Sequence, residues 1–501
     1  MRLASENIGL PVPQKRRKHM FANLETGNST GYYIHSLICV VLMFGLGHLP
    51  APSPITPTGM HVVGIFIGMI YGWLTVGMTW PSILGITALG FSGRMTVVQA
   101  FQSGFGNNTI LLIFFMFIIT GVLDTSGVAR YVANRLVSFR FSRGRPWVLS
   151  FLILVSMFVL SSMISITAAI MVVWTMFYGI CEVFGFKKGD KWPMLMLAGI
   201  AFSGSMAYQL FPFKSLPLIV LDSYRELSGG QEINFFKYFI WMFVTDWLVI
   251  LGYLLVMRFI FKPDVSLIEQ ADTSLDNTEK LTPYQGFILV YFGIYVLLML
   301  IPSILPGSWS ITGVLRAVNN TGISAFAVIF LVFLNFRDGT PINDMVKKVN
   351  WNLIFLLVGA LTISSALADP QLGVRAFISE VMTPVLSGQS FWIFAFLLLL
   401  AACIITNFCN NLATVAIFTP IAYNLAEVYG GDVNIKALMV VLITICSMAM
   451  ATPAGSTPGA LVYGNKEWIP GNYPLILGII CVVIDFVVIY AIGLPFANML
   501  F

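Results

Sequence analysis

Four short stretches of the chain combine polar and helix-breaking residues inside apolar surroundings, and each has the composition of an ion-binding point. "FPFKSLPL" (211–218) sets Lys214 and Ser215 between two prolines, and "TPAGSTPG" (452–459) holds Thr452, Gly455, Ser456 and Thr457. Proline removes a backbone donor and collides with the preceding turn, so both stretches stop a helix. "SSMISITAA" (161–169) and "TNFCNNLAT" (406–414) place Ser165, Thr167, Asn410, Asn411 and Thr414 midway along apolar blocks. A helix starting there exposes N–H groups and a partial positive charge, which suits a carboxylate or sulfate. Carbonyls freed where a helix stops suit a small cation. The pattern therefore predicts an anion site flanked by two cation positions, with Lys214 adding a fixed charge.

The elements that must hold these points are set by composition. Hydrophobic residues make up 58% of 501 residues, charged residues 10%, and mean hydropathy is +0.87, which excludes an ordinary soluble domain. The chain reads as an all-α, multi-pass integral membrane protein. A helical crossing needs about 20 apolar residues, and eleven crossings are predicted at 32–49, 60–78, 80–91 with its flanks, 109–123, 194–211, 239–256, 287–304, 324–336, 351–367, 437–450 with its flanks, and 473–494. Two further blocks, 147–184 and 391–426, are nearly twice that length with a polar knot in the middle, so each is predicted to be a re-entrant helical hairpin.

With the N-terminus inside, twenty of the 27 Lys and Arg fall in cytoplasmic segments. Only Arg94, Arg225, Lys237, Arg316, Arg375 and Lys436 fall outside, in keeping with the positive-inside rule. The remaining one is Lys214. Counting either long block as a single crossing would spoil this asymmetry. The predicted topology is N-terminus cytoplasmic and C-terminus outside, in a bacterial-type plasma membrane. The basic run from Lys15 to Lys18 reads as a topology signal, and the net charge of +5 implies no nucleic acid.

The chain also repeats itself. "FPFKSLPL" lies over "TPAGSTPG" at an offset of 241, "SITAAI" (165–170) over "NNLATV" (410–415) at 245, and "NTILLIF" (108–114) over "NLIFLLV" (352–358). Asp246 in "VTDWLVI" corresponds to Asp485 in "VIDFVVI". Five crossings separate the hairpins, an odd number, so the halves are inverted-topology repeats, the architecture of secondary transporters.

At these residues the chain resembles the divalent-anion:sodium symporter (DASS) family, over roughly residues 30–500. The resemblance implies a scaffold and a mobile transport domain moving by an elevator motion, a homodimer, and transport of di- or tricarboxylates or sulfate by Na⁺ symport or anion exchange. The implied division is a cytoplasmic segment (1–31), scaffold helices (32–146), a transport hairpin and helices (147–260), a cytoplasmic linker (261–283), then scaffold (284–369) and transport (370–501) parts of the second repeat. Family members hold substrate with Asn and Thr of Ser-Asn-Thr tips. That carries over to Ser165, Thr167, Asn410, Asn411 and Thr414, with Ser215, Ser456 and Thr457 from the breaks. Ile166 and Leu412 replace polar tip residues, and Phe211, Lys214 and Leu218 replace Thr, Gly and Asn of the family's fifth-helix pattern.

The first sodium site has thus lost ligands and gained a cation. Two readings of Lys214 follow: it replaces that sodium and contacts substrate, or it snorkels to the headgroups. A Na⁺ near Asn411, Thr452, Gly455 and Ser456 remains open in the second repeat, with no other cofactor. Anion exchange is the leading expectation, followed by Na⁺-coupled symport and by proton coupling. Asp246 and Asp485 read either as proton carriers or as structural caps. His35, His61 and the six cysteines read as packing residues. An enzyme is the rival class, but HExxH and a phosphate loop are missing from the sequence. A channel would not require two broken-helix sites in inverted copies.

Overall fold

The computed structural model describes residues 30–137, 144–270, 280–306, 308–335, 342–347, 349–367, 369–374, 376–377, 380, 390–429, 433–453 and 455–501. The segment 1–29 with its basic run, and 271–279 of the linker, lie outside the described residues.

The first repeat contains α1 (Thr30–Gly45), α2 (Pro57–Thr75), α3 (Thr79–Phe91), α4 (Val97–Phe105), α5 (Asn108–Thr125), α6 (Val128–Val137), the hairpin α7 (Pro146–Met163) and α8 (Ile166–Phe184), the broken pair α9 (Lys191–Ala207) and α10 (Ser215–Leu227), and α11 (Phe235–Leu255). After α12 (Ser266–Glu269), the second contains α13 (Pro283–Ile304), α14 (Ser310–Asn335), α15 (Ile342–Val346), α16 (Trp351–Leu367), the hairpin α17 (Phe391–Phe408) and α18 (Asn411–Tyr429), the broken pair α19 (Ile435–Ser447) and α20 (Thr457–Gly464), then α21 (Tyr473–Val488) and α22 (Leu494–Leu500). The order hairpin, broken pair, long helix occurs twice. Both long helices also run into a π-helical turn, at Val256–Phe261 and Ile489–Gly493.

Eleven helices among the described residues are long and apolar enough to cross a membrane, but they are not the eleven expected crossings. All four hairpin arms qualify by length. The expected spans at 80–91, 351–367 and 437–450 form helices of 13, 17 and 13 residues. The span at 194–211 stops at Ala207 because "FPFKSLP" follows. The span at 324–336 starts earlier, at Ser310, and turns at Asn319, whose φ of 56° breaks the helical path. Two short amphipathic helices, α4 and α6, were not expected, since a search for apolar runs passes over them. α4 starts on a capping box in which Thr96 and Gln99 satisfy each other's backbone N–H.

Contacts between loops sort them onto two sides. Lys188 meets Glu467, the Lys191 ammonium stands 5.8 Å from the ring of Phe261, and the Arg258 guanidinium stands 5.4 Å from that of Trp147. On the other side Arg94 pairs with Asp369 at 3.2 Å, Asn107 Nδ2 donates to Glu226 Oε1 at 3.0 Å, and Lys237 Nζ donates to the Leu500 carbonyl at 2.7 Å. Side chains on α13 and α14 such as Val290, Leu297, Phe326 and Phe333 are exposed, as expected of a surface that faces lipid. By contrast every residue of α9 after Lys191 is buried. That helix is the axis of the hairpin half, packed by α7, α8 and α20.

Candidate functional site

Each hairpin turns where a polar side chain can cap the returning helix. Ser165 adopts an extended conformation and its hydroxyl accepts from Ala168 N at 3.4 Å, opening α8. At the second tip Asn410 Oδ1 accepts from Leu412 N at 2.9 Å, opening α18. Ser456 plays the same part at the second break, its hydroxyl accepting from Gly459 N at 3.1 Å. Lys214 stands at the N-cap of α10 but makes no side-chain cap. The broken helices cross pairwise, α10 on α19 and α9 on α20, so four helix starts converge.

They enclose a cavity of about 550 Å³ whose lining includes Ser165, Thr167, Lys214, Ser215, Asn410, Asn411, Ser456 and Thr457. Thr414 is not there. It is fully buried, and its hydroxyl donates to the Asn410 carbonyl at 3.1 Å. One helical turn beyond the tip, a threonine turns back on its own backbone. Nor are Asp246 and Asp485 there: they lie on α11 and α21, which pack together, with 0% and 1% exposure. Both oxygens of Asp246 and Oδ1 of Asp485 have no hydrogen-bond partner.

Lys214 is 3% exposed, so it does not reach the headgroups. Its Nζ has no hydrogen-bond partner and stands 4.8 Å from the centroid of the Tyr208 ring. A cation–π contact supplies about 0.5–2 kcal/mol, whereas desolvating an ammonium costs several. The difference favours an anion beside it in the cavity. The tips add oriented N–H groups, and Asn410 Nδ2 and the Thr167 hydroxyl line the same space. Such an arrangement has the donors to meet carboxylate oxygens at more than one point.

The candidate cation position is internally bonded. Asn411 Nδ2 donates to Ser447 O at 2.9 Å and its Oδ1 accepts from Thr406 Oγ1 at 3.1 Å. Thr452 Oγ1 donates to Asn407 O, and Ser456 Oγ to Ala449 O at 2.6 Å. Gly455 permits this closeness: a Cβ there would stand 2.7 Å from Thr406 O and 2.9 Å from Asn407 O. A cation at this break would compete with these side chains for the carbonyls. Among the described residues no cluster of His, Cys, Asp and Glu could hold a metal.

Sequence reasoning missed Asp124, Tyr208, Gln209 and Asn350, all of which line the cavity. Asp124 Oδ1 accepts from the backbone N–H of Ser165 at 2.9 Å. The available signals were an acid closing an apolar span in "GVLDTSG" and the polar pair Tyr208–Gln209 just before the break.

A family model described as "Citrate transporter" matches residues 62–445. The chain is 22% identical over 465 residues to the sodium-dependent dicarboxylate transporter SdcS of Staphylococcus saprophyticus, covering 88% of this chain and 86% of that one. It is 25% identical over 224 residues to the sodium-dependent high-affinity dicarboxylate transporter 3 of Caenorhabditis elegans, covering 40% and 38%. Among solved structures, the YdaH transporter of Alcanivorax borkumensis matches with a TM-score of 0.57 at 12% identity, over 93% of this chain and 98% of that one.

Proposed function

Starting from a chain that belongs to the citrate transporter family, and so to the divalent-anion:sodium symporter group it resembles, we propose that this membrane protein exchanges one organic dianion for another across the bilayer. Secondary transport of carboxylates is what the relatives support. The exchange reading rests on Lys214, a buried lysine without a hydrogen-bond partner in the cavity where both tips meet. It supplies a positive charge where the resemblance implies a first Na⁺, so binding of a dicarboxylate needs no ion from solution there. Ser165, Thr167, Asn410 and the tip amides hold the carboxylates, and Ser215, Ser456 and Thr457 complete the wall. The segments 147–260 and 370–501 carry this cavity past the rest of the chain in an elevator motion. The N-terminus is cytoplasmic.

Sodium-coupled symport is the second reading, favoured by the sodium dependence of the Staphylococcus and Caenorhabditis relatives. Its cation would lie at the second break near Asn411, Thr452, Gly455 and Ser456. The hydrogen bonds that already occupy the carbonyls there favour exchange.

Uptake of labelled succinate, malate and citrate into proteoliposomes, preloaded or empty, with and without a Na⁺ gradient, separates the two. Exchange requires internal anion and ignores Na⁺. Concentrative uptake into empty vesicles driven by Na⁺ would overturn it.

A further inference from the structure

The carboxylate of Asp124 occupies a place that a substrate carboxylate would take. It accepts from the Ser165 N–H at the mouth of α8 at 2.9 Å, lines the same cavity as Lys214, and lies within Coulombic reach of Lys214 and Tyr208. Lys214 itself, 3% exposed, has no hydrogen-bond partner. The anion-binding face of the first tip therefore already holds one carboxylate, supplied by the chain.

That carboxylate comes from the other side of the proposed moving boundary. Asp124 closes α5 in segment 32–146, whereas Ser165 and Lys214 belong to segment 147–260. Any sliding of the hairpin along α5 must break this charge-assisted bond and strand both partners in a low-dielectric gap. A bound dicarboxylate changes the balance. It offers its own oxygens to Ser165 N–H and Lys214, displaces Asp124 toward solvent at the end of its helix, and frees the hairpin.

The inverted repeat supplies a counterpart. Asp369 lies 245 residues after Asp124, the same offset that places Asn410 over Ser165. It follows α16 as Asp124 closes α5, on the opposite side of the membrane, where it is paired with Arg94 at 3.2 Å.

We infer that Asp124 is a tethered competitor of the substrate that locks the empty carrier in the state seen here, and that Asp369 does the same for the second tip in the opposite state. This rests on the exchange reading, for which it supplies the missing restraint: an empty carrier that cannot cross must wait for a counter-anion.

The test uses full-length protein in proteoliposomes loaded with labelled succinate, comparing efflux into succinate with efflux into anion-free buffer. The ratio of net efflux to exchange is the readout, since a merely structural lesion lowers both together. Losing one charge-assisted bond should raise that ratio about tenfold in Asp124→Asn, with Asp124→Glu restoring it toward wild type. Asp369→Asn should raise the ratio from the other side. Wild-type vesicles that empty freely without counter-anion would overturn the exchange reading and this proposal with it. Tight wild-type exchange with an unchanged ratio in Asp124→Asn would overturn the tether alone.

Discussion

Asn411 joins its hairpin tip to the neighbouring helix break: its amide nitrogen donates to Ser447 O at 2.9 Å while its oxygen accepts from Thr406 at 3.1 Å. Asn410, one residue earlier, spends only its oxygen, on Leu412 N. Two adjacent asparagines thus have different work. Asn411→Ala should lower the melting temperature, because it removes two largely buried hydrogen bonds at about 1 kcal/mol each. Asn410→Ala should leave melting closer to wild type while raising the half-saturating dicarboxylate concentration several-fold. Thermal unfolding in detergent alongside vesicle uptake checks both.

Lys214→Gln keeps a polar side chain without the charge and should abolish dicarboxylate exchange, while Lys214→Arg retains a measurable fraction. Uptake by wild type should be the same in choline as in sodium buffer. Full transport by Lys214→Gln would remove the lysine from the binding site.

Gly455→Ala should be severe. A methyl there meets two carbonyl oxygens and the Ala449 Cβ, at 2.7–2.9 Å, and backbone cannot yield as a side chain can. Overpacking of this kind costs about 1–3 kcal/mol, and the shift it forces falls on the second tip. Expected outcomes are reduced thermal stability and loss of uptake, with Gly464→Ala, whose Cβ meets nothing within 4 Å, as the tolerated control.

Asp246→Asn and Asp485→Asn replace buried carboxyls, of which both oxygens of Asp246 and Oδ1 of Asp485 lack hydrogen-bond partners, with neutral side chains of the same shape. A carboxylate buried without a partner is costly, so both variants should keep exchange activity and match or exceed wild-type stability. Loss of transport in both, with folding intact, would instead make the pair a proton carrier.

The breaks and tips were legible in the sequence because proline, glycine and asparagine inside apolar runs leave backbone groups that lipid cannot satisfy, and because the pattern occurs twice. Lys214 stood out for the same reason, one charge in a stretch that cannot solvate it. Asp124 was missed because its bond to Ser165, 41 residues later, depends on how the end of α5 meets the hairpin tip, which no local pattern encodes. Thr414 lies outside the cavity because proximity in sequence to the tip says nothing about which way a helical side chain turns one helical turn further on. α4 and α6 escaped because their signal is amphipathic periodicity rather than hydrophobic length.

A cation bonded covalently to the carrier makes a round trip in every cycle. A sodium ion is released with its cargo and leaves behind a site free of surplus charge, whereas Lys214 stays, and an empty cavity would have to drag an uncompensated ammonium through the bilayer. Like-for-like exchange of dianions across such a carrier moves no net charge. If the carrier exchanges dianions as proposed, membrane potential has no purchase on the steady state, and the direction of flux follows only the concentration ratios of the two anions.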